Sequence, residues 1–315
     1  LVAAAALAFV SGVGNFGIPA LLGMPVNYLT LPTLIYRQMV SFGPGVLPQM
    51  AGLSVLIGTI ALAGVALQAV ANRHPEGRYA GGLPARFALG GWRIPLALLG
   101  WFVIAAILVL PMLALLTTAF VPAFGVRLTA ETATLANFAE VLTRQASTMR
   151  AFRNSILLSG GAALILALGA IPAALVLSRL GRRQRLIQGV IELPYAVPGI
   201  VLAIACILLF LRPLPLIGSL YGTAAIILIA YLMRFLTLAM KPVSTAVNQI
   251  PPDLDEAAAA AGAGPLRRVL TISAPLVAPA AMAGALLVFM SAFNELTVSA
   301  LLWSSGNETL GVVLF

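Results

Sequence analysis

Seven apolar runs, separated by shorter polar or basic stretches, set the pattern of the chain: residues 1–13, 47–71, 94–120, 156–177, 187–211, 221–240 and 275–293. A helix needs about 20 mainly apolar residues to cross the hydrocarbon core of a bilayer, and every run but the first is near or above that length. None alternates with period two over many short segments, which argues against an outer-membrane barrel. Within hydrocarbon a span must satisfy its own backbone hydrogen bonds, so each run is predicted to be a helix. The expected fold is all-α, a polytopic membrane protein with about seven spans. Residues 1–13 read as the back half of a span, and residues 311–315 stop inside an apolar run, so the sequence reads as a fragment of a longer chain. Pro172, Pro194 and Pro198 fall inside runs and predict kinks, tolerated where neighbouring helices satisfy the freed carbonyls.

Composition narrows the picture. The 315 residues are 61% hydrophobic and only 9% charged, and the mean hydropathy is +1.06. Soluble domains carry about 25% charged residues. Too few charges are present to coat a water-facing surface, which excludes a soluble enzyme, and the high hydrophobicity excludes intrinsic disorder. The net charge is +9, and its placement gives an orientation. Loops at residues 72–93, 179–185 and 241–274 hold eleven cations, whereas the opposite set holds six over a greater length. The positive-inside rule puts the first set in the cytoplasm, so the basic balance does not call for nucleic acid. Cys206 and His74 are the single cysteine and the single histidine. They cannot supply an intramolecular disulfide, a cysteine- or histidine-cluster metal site, or a plausible Ser/His/Asp triad. Gly12, Gly14 and Gly17 match the spacing of a dinucleotide fingerprint, but they follow an apolar helical run rather than a strand, so no cofactor is expected there.

An internal repeat is visible at an offset of 280 residues: Leu7-Ala8-Phe9-Val10-Ser11 matches Leu287-Val288-Phe289-Met290-Ser291, and Ala20-Leu21-Leu22 matches Ala300-Leu301-Leu302. Asn27 falls opposite Asn307; a one-residue slip then aligns Thr30-Leu31 with Thr309-Leu310 and Tyr36 with Phe315. Such a duplication suits a transporter built from two similar halves around a central path.

Residues 250–268 form the most informative loop. Pro251 and Pro252 can start a helix but not continue one. Asp253, Asp255 and Glu256 lie in the first turn, where the helix dipole favours negative charge. The alanines at 257–261 are the strongest helix formers available, Gly262 and Gly264 stop the helix, and Pro265 starts a second short one with Arg267 and Arg268. A helix–turn–helix is therefore predicted between two spans, with a nearly bare alanine surface that another protein's backbone can approach closely.

Glu256-Ala257-Ala258, three residues, Gly262, nine residues, Ile272, one residue, Ala274 and Pro275 together resemble the EAA motif of binding-protein-dependent ABC importer permeases. That pattern ends Ile-x-Leu-Pro, and Ala274 replaces the leucine. Arg153-Asn154-Ser155 at the start of one run and Leu193-Pro194 with Val197-Pro198-Gly199 in the next are similar to the same family. The resemblance implies a MetI-like permease fold in a bacterial inner membrane. Residues 1–72 would be the end of a first permease repeat, 73–93 a cytoplasmic linker, and 94–315 a second repeat lacking its last span. It implies a transport subunit rather than an enzyme. A cytoplasmic ABC ATPase dimer, docked on Glu256, Ala257, Ala258, Gly262, Ile272 and Pro275, would hydrolyse ATP-Mg. A periplasmic or tethered binding protein would deliver solute, and the chain itself would bind no cofactor, metal or nucleic acid. Residues 14–23, 31–36 and 293–299 look like the fused ferric-iron permeases, so ferric iron is the implied substrate, with thiamine, polyamine or phosphonate as alternatives. An ion-gradient-driven secondary transporter is the rival of another class.

Charges inside the runs complete the candidate list. Glu192 and Arg234 lie at similar depth in adjacent antiparallel runs, where an unpaired charge costs about 2.5–3.5 kcal/mol; they are candidates for an intramembrane pair, the alternative being that both snorkel to the interface. Asn294 and Glu295, with Asn15 opposite Glu295 in the repeat, are candidates for contacts at the outer mouth of a path.

Overall fold

The computed structural model describes residues 2–41, 45–71, 89–123, 125–181, 183–213, 215 and 218–315. In chain order the α-helices are α1 (Val2–Val13), α2 (Leu31–Val40), α3 (Val46–Ala71), α4 (Arg93–Ala119), α5 (Ala136–Ala139), α6 (Ala146–Ser178) and α7 (Arg183–Ala196). They continue with α8 (Gly199–Phe210), α9 (Ala224–Asn248), α10 (Pro252–Ala260), α11 (Pro265–Arg268), α12 (Ala274–Phe293), α13 (Ser299–Leu302) and α14 (Leu310–Leu314). The chain divides into two compact units, one of residues 1–73 with 150–315 and the other of residues 74–149. The expected linker at 73–93, with His74 and most of its cations, lies largely outside the described residues.

Among the described residues five stretches are long and apolar enough to cross a membrane: Val46–Leu67, Gly90–Ala119, Ala146–Ser178, Ala224–Asn248 and Pro265–Phe293. A sixth exists only if Leu186–Ala196 and Gly199–Phe210, bent by 98° at their junction, count as one. This corrects the expectation of a single span over 187–211. Pro198 is the cause: it has no N–H to donate, it biases Val197 away from helical backbone, and its own φ of −53° and ψ of 138° open α8 as an N-cap. Pro172, by contrast, sits inside an unbroken α6. The described part of α1 is 12 residues long. The run expected to start at Pro275 starts earlier, because α11 leads through a wide π-type turn at Val269–Ser273 directly into α12.

Small residues let the spans of the larger unit approach closely, as membrane packing requires. On α12, a Cβ at Gly284 would lie 3.1 Å from the Ala239 carbonyl oxygen of α9. Ala162, Ala170, Ala230 and Ala239 are fully buried on α6 and α9, alongside Ile226, Ile227, Tyr231 and Val243. Large apolar side chains such as Leu157, Leu164 and Leu168 of α6 point outward, the distribution expected of a lipid-facing surface. In the smaller unit α4 buries no residue. Its C-terminal carbonyls are closed by Asn137, whose Nδ2 donates to Ala119 at 3.1 Å and Val121 at 2.7 Å.

Candidate functional site

The loop between α9 and α12 folds as two helices around a glycine turn. α10 ends where Gly262 takes a φ of +78°, a left-handed conformation that glycine adopts without Cβ strain. Ala263 N–H donates to the Ala258 carbonyl and Gly262 N–H to Ala259, the paired bonds of a Schellman ending. The alanines of α10 are exposed at 257, 259 and 260 and half-buried at 258. Glu256 is exposed and makes no ion pair among the described residues, so it does not brace the helix through its charge. Asp255 does that instead: its Oδ2 lies 3.0 Å from Arg268 Nη1 and 3.9 Å from Arg179 Nη2, tying α10 to α11 and to the end of α6. Ile272 is half-buried in the π-turn and Pro275 is exposed in the first turn of α12. The wide turn suits a proline, which offers no N–H to a tight one.

Between α1, α3, α7, α9 and the end of α12 lies a cavity of about 710 Å³, within the range of small-molecule sites. Val10, Val65, Leu193 and Phe235 supply apolar wall; Ser11, Thr237 and Ser291 supply hydroxyls. A hollow of about 170 Å³ shares Glu192, Thr237 and Lys241 with it, towards the basic-loop end. Both candidate intramembrane charges line the cavity, but not as a pair. Glu192 Oε1 lies 3.1 Å from Lys241 Nζ, and both side chains are half exposed or more. Arg234 Nε lies 3.4 Å from Glu295 Oε2, with side chains only 18% and 11% exposed. The reason is the 98° break. Arg234 Nη1 donates at 3.2 Å to Val197, the residue just before Pro198. Its guanidinium therefore reaches the carbonyl end of α7, where a helix dipole favours a cation, rather than Glu192 lower on that helix.

Glu295 is thus half-buried against the cavity rather than left at an open mouth. Asn294 and Asn15 are exposed. Asn15 Oδ1 accepts the Ile18 N–H at 3.3 Å and Glu295 Oε1 accepts the Val298 N–H at 3.1 Å, the same bond 280 residues apart. Thr30 and Thr309 open α2 and α14 with near-identical backbone, φ/ψ of −98°/167° and −96°/165°. Tyr36 and Phe315 meet edge-on with ring centroids 5.3 Å apart, and Phe16 packs on both.

A further cluster escaped sequence reasoning. Arg150 Nε lies 3.1 Å from Glu308 Oε2, Asn154 Nδ2 donates to the Gly306 and Glu308 carbonyls, and Ser155 Oγ accepts the Leu310 N–H. The start of α6 so fixes the loop before α14. Only the Arg153-Asn154-Ser155 motif signalled it, and two of those three residues make the contact. Among the described residues no three His, Cys, Asp or Glu side chains gather as a metal site.

Residues 165–314 match the family described as binding-protein-dependent transport system inner membrane component. The chain is 28% identical over 319 residues to the probable ABC transporter permease protein y4fN of Sinorhizobium fredii, covering 98% of this chain and 55% of that protein. It is 30% identical over 170 residues to the Fe(3+)-transport system permease protein FbpB 2 of Haemophilus influenzae, covering 53% and 33%. It is 34% identical over 183 residues to the ABC transporter permease protein ORF1 of Streptomyces antibioticus, covering 58% and 77%. The chain spans about half the length of y4fN and a third of FbpB 2. With these matches, and with five to six helical stretches among the described residues long and apolar enough to cross a membrane, the chain is a multi-pass inner-membrane protein and belongs to the binding-protein-dependent permeases of ABC transporters.

Proposed function

We propose that the chain is part of the solute path of an ABC importer, with ferric iron as its substrate. The observation that carries the importer reading is the exposed alanine face of α10, closed by Gly262 and held rigid by Asp255 and Arg268. It is a small, pre-organised surface on the basic-loop end, suited to a groove on a cytoplasmic ATPase dimer that hydrolyses ATP-Mg for the complex. A binding protein delivers solute to the opposite end, and two similar halves, one ending in residues 1–72, rock about the cavity between them. Ferric iron is supported by the resemblance of residues 14–23, 31–36 and 293–299 to the fused iron permeases and by the name of FbpB 2. Relatives named for trehalose/maltose and for 2-aminoethylphosphonate transport also match, so phosphonate is the second reading.

The test is uptake of radiolabelled ferric iron in cells carrying the intact gene and its partners, comparing wild type with Gly262→Asp. A Cβ at residue 262 meets no atom within 4 Å. The variant therefore inserts, at a local cost of about 1–2 kcal/mol for the left-handed backbone, while placing a charge on the docking face. Uptake is expected to fall to background. Normal uptake by Gly262→Asp would sink the docking role, and uptake that survives loss of the ATPase would favour a gradient-driven transporter.

A further inference from the structure

The cavity holds one ionic group that its neighbours do not use up. Glu295 accepts the Val298 N–H with Oε1 and makes an ion pair with Arg234 through Oε2. Lys241 and Glu192 neutralise each other where water reaches them. Arg234 is different. Of its three nitrogens, Nη1 donates to Val197. Nε is buried and lies near Glu295 without forming a hydrogen bond. Nη2 has no acceptor among the described residues. The side chain is held from three sides, by Glu295, by the Val197 carbonyl and by Gly199, whose absent Cβ would lie 3.0 Å from Nη1. It is a fixed guanidinium with spare donors, set in the wall of a cavity of about 710 Å³.

A planar, rigid guanidinium with unfilled N–H positions is matched by an oxyanion, which accepts two of its hydrogen bonds at once. Away from bulk water that contact is stronger and more selective than at a surface. Ser11, Thr237 and Ser291 line the same cavity and can solvate the rest of a polar solute. The equivalent position to Glu295 in the preceding repeat is the neutral, exposed Asn15, so the arrangement occurs once rather than twice around the path.

We propose that Arg234 is a solute-contacting residue inside the membrane, and that the group it takes is an oxyanion: a carboxylate, phosphate or phosphonate borne by the solute. This rests on the importer reading. Two sources supply such a group. One is the anionic chelate in which ferric iron stays soluble; the other is a free organic phosphonate. Glu295 is a positioning residue that holds the guanidinium towards the cavity.

The experiment uses the intact transporter with its ATPase and binding protein, in cells and in proteoliposomes. The probes are radiolabelled ferric citrate and radiolabelled 2-aminoethylphosphonate. The variants are Arg234→Gln, Arg234→Lys, Glu295→Gln and the double Arg234→Gln/Glu295→Gln. Wild type is expected to import one probe, which identifies the source, and to lose import when the partner ATPase is inactivated; failure of that dependence sinks the importer reading separately. Arg234→Gln is expected to cut import at least tenfold while ATP hydrolysis is still stimulated by the binding protein. Arg234→Lys, which keeps the charge but not the fork, should retain an intermediate rate. The double variant decides between contact and scaffold, since it removes both charges and leaves no buried ion unpaired. It should stay as inactive as Arg234→Gln. Recovery of import in the double variant would make the pair a brace for the broken span and overturn the proposal, as would import of neither probe by wild type.

Discussion

Glu308 anchors its loop through charge. Its carboxylate accepts the Gly306 N–H at 3.0 Å and faces Arg150 Nε at 3.1 Å. The Gly306 N–H, its own N–H and then Arg150 hold its pKa below the ordinary value of 4.5. A carboxyl lowered on folding stabilises the fold above its unfolded pKa, and that contribution is lost as pH falls through the lowered value. Glu308→Gln is therefore expected to lower the thermal midpoint in detergent at pH 7. The gap from wild type should begin to close below pH 4.5 and vanish once the wild-type carboxyl is protonated. A gap that persists unchanged at pH 3 would assign the effect to shape rather than charge. Nothing local in the sequence marks this residue: its partner is 158 positions away. The Arg234–Glu295 pair was missed for a related reason. Depth along a span can be counted from sequence, but the direction a side chain takes at a broken helix cannot. Glu192 was the nearer candidate by depth alone.

Among the described elements, α9 and α12 share the most extensive packing, and their approach depends on Gly284. Its Cβ position lies 3.1 Å from the Ala239 carbonyl oxygen and 3.2 Å from Pro242 Cγ. Backbone cannot yield as a flexible side chain does. Gly284→Leu is expected to push the helices apart at a cost of about 1–3 kcal/mol, read as a lower unfolding temperature and reduced recovery from membranes. An unchanged midpoint would mean that α12 carries the bulk towards lipid. These helices were legible because apolar length dominates their sequence. The loop of α10 and α11 was legible for a different reason: proline, acid, alanine and glycine each have a fixed place in a short helix. The run at 187–211 misled because its hydrophobicity was averaged. Gln188, Gly189 and Glu192 make its first half amphipathic, and all three line cavity surface. Pro198 signalled an interruption, yet the sequence contains nothing that specifies a bend of 98° rather than a kink.

At the scale of the whole chain, the matched segments 280 residues apart meet one another. Gly17 lies against Leu296, with 3.5 Å from its Cβ position to Leu296 Cδ2, and Tyr36 touches Phe315. When corresponding residues of two similar halves contact each other, the contact lies near the axis that relates the halves. On the proposed two-half reading, Phe16, Tyr36 and Phe315 therefore lie near that axis. If solute passes along that axis, Tyr36 and Phe315 have to separate once per transport cycle. Cysteines at both positions, in a cysteine-free background of the intact transporter, test this with a short cleavable thiol cross-linker. Cross-linking is expected to stop uptake and reduction to restore it, with ATPase assembly unchanged. Full uptake by the cross-linked protein would put the path elsewhere and leave the three rings as packing between halves that never part there.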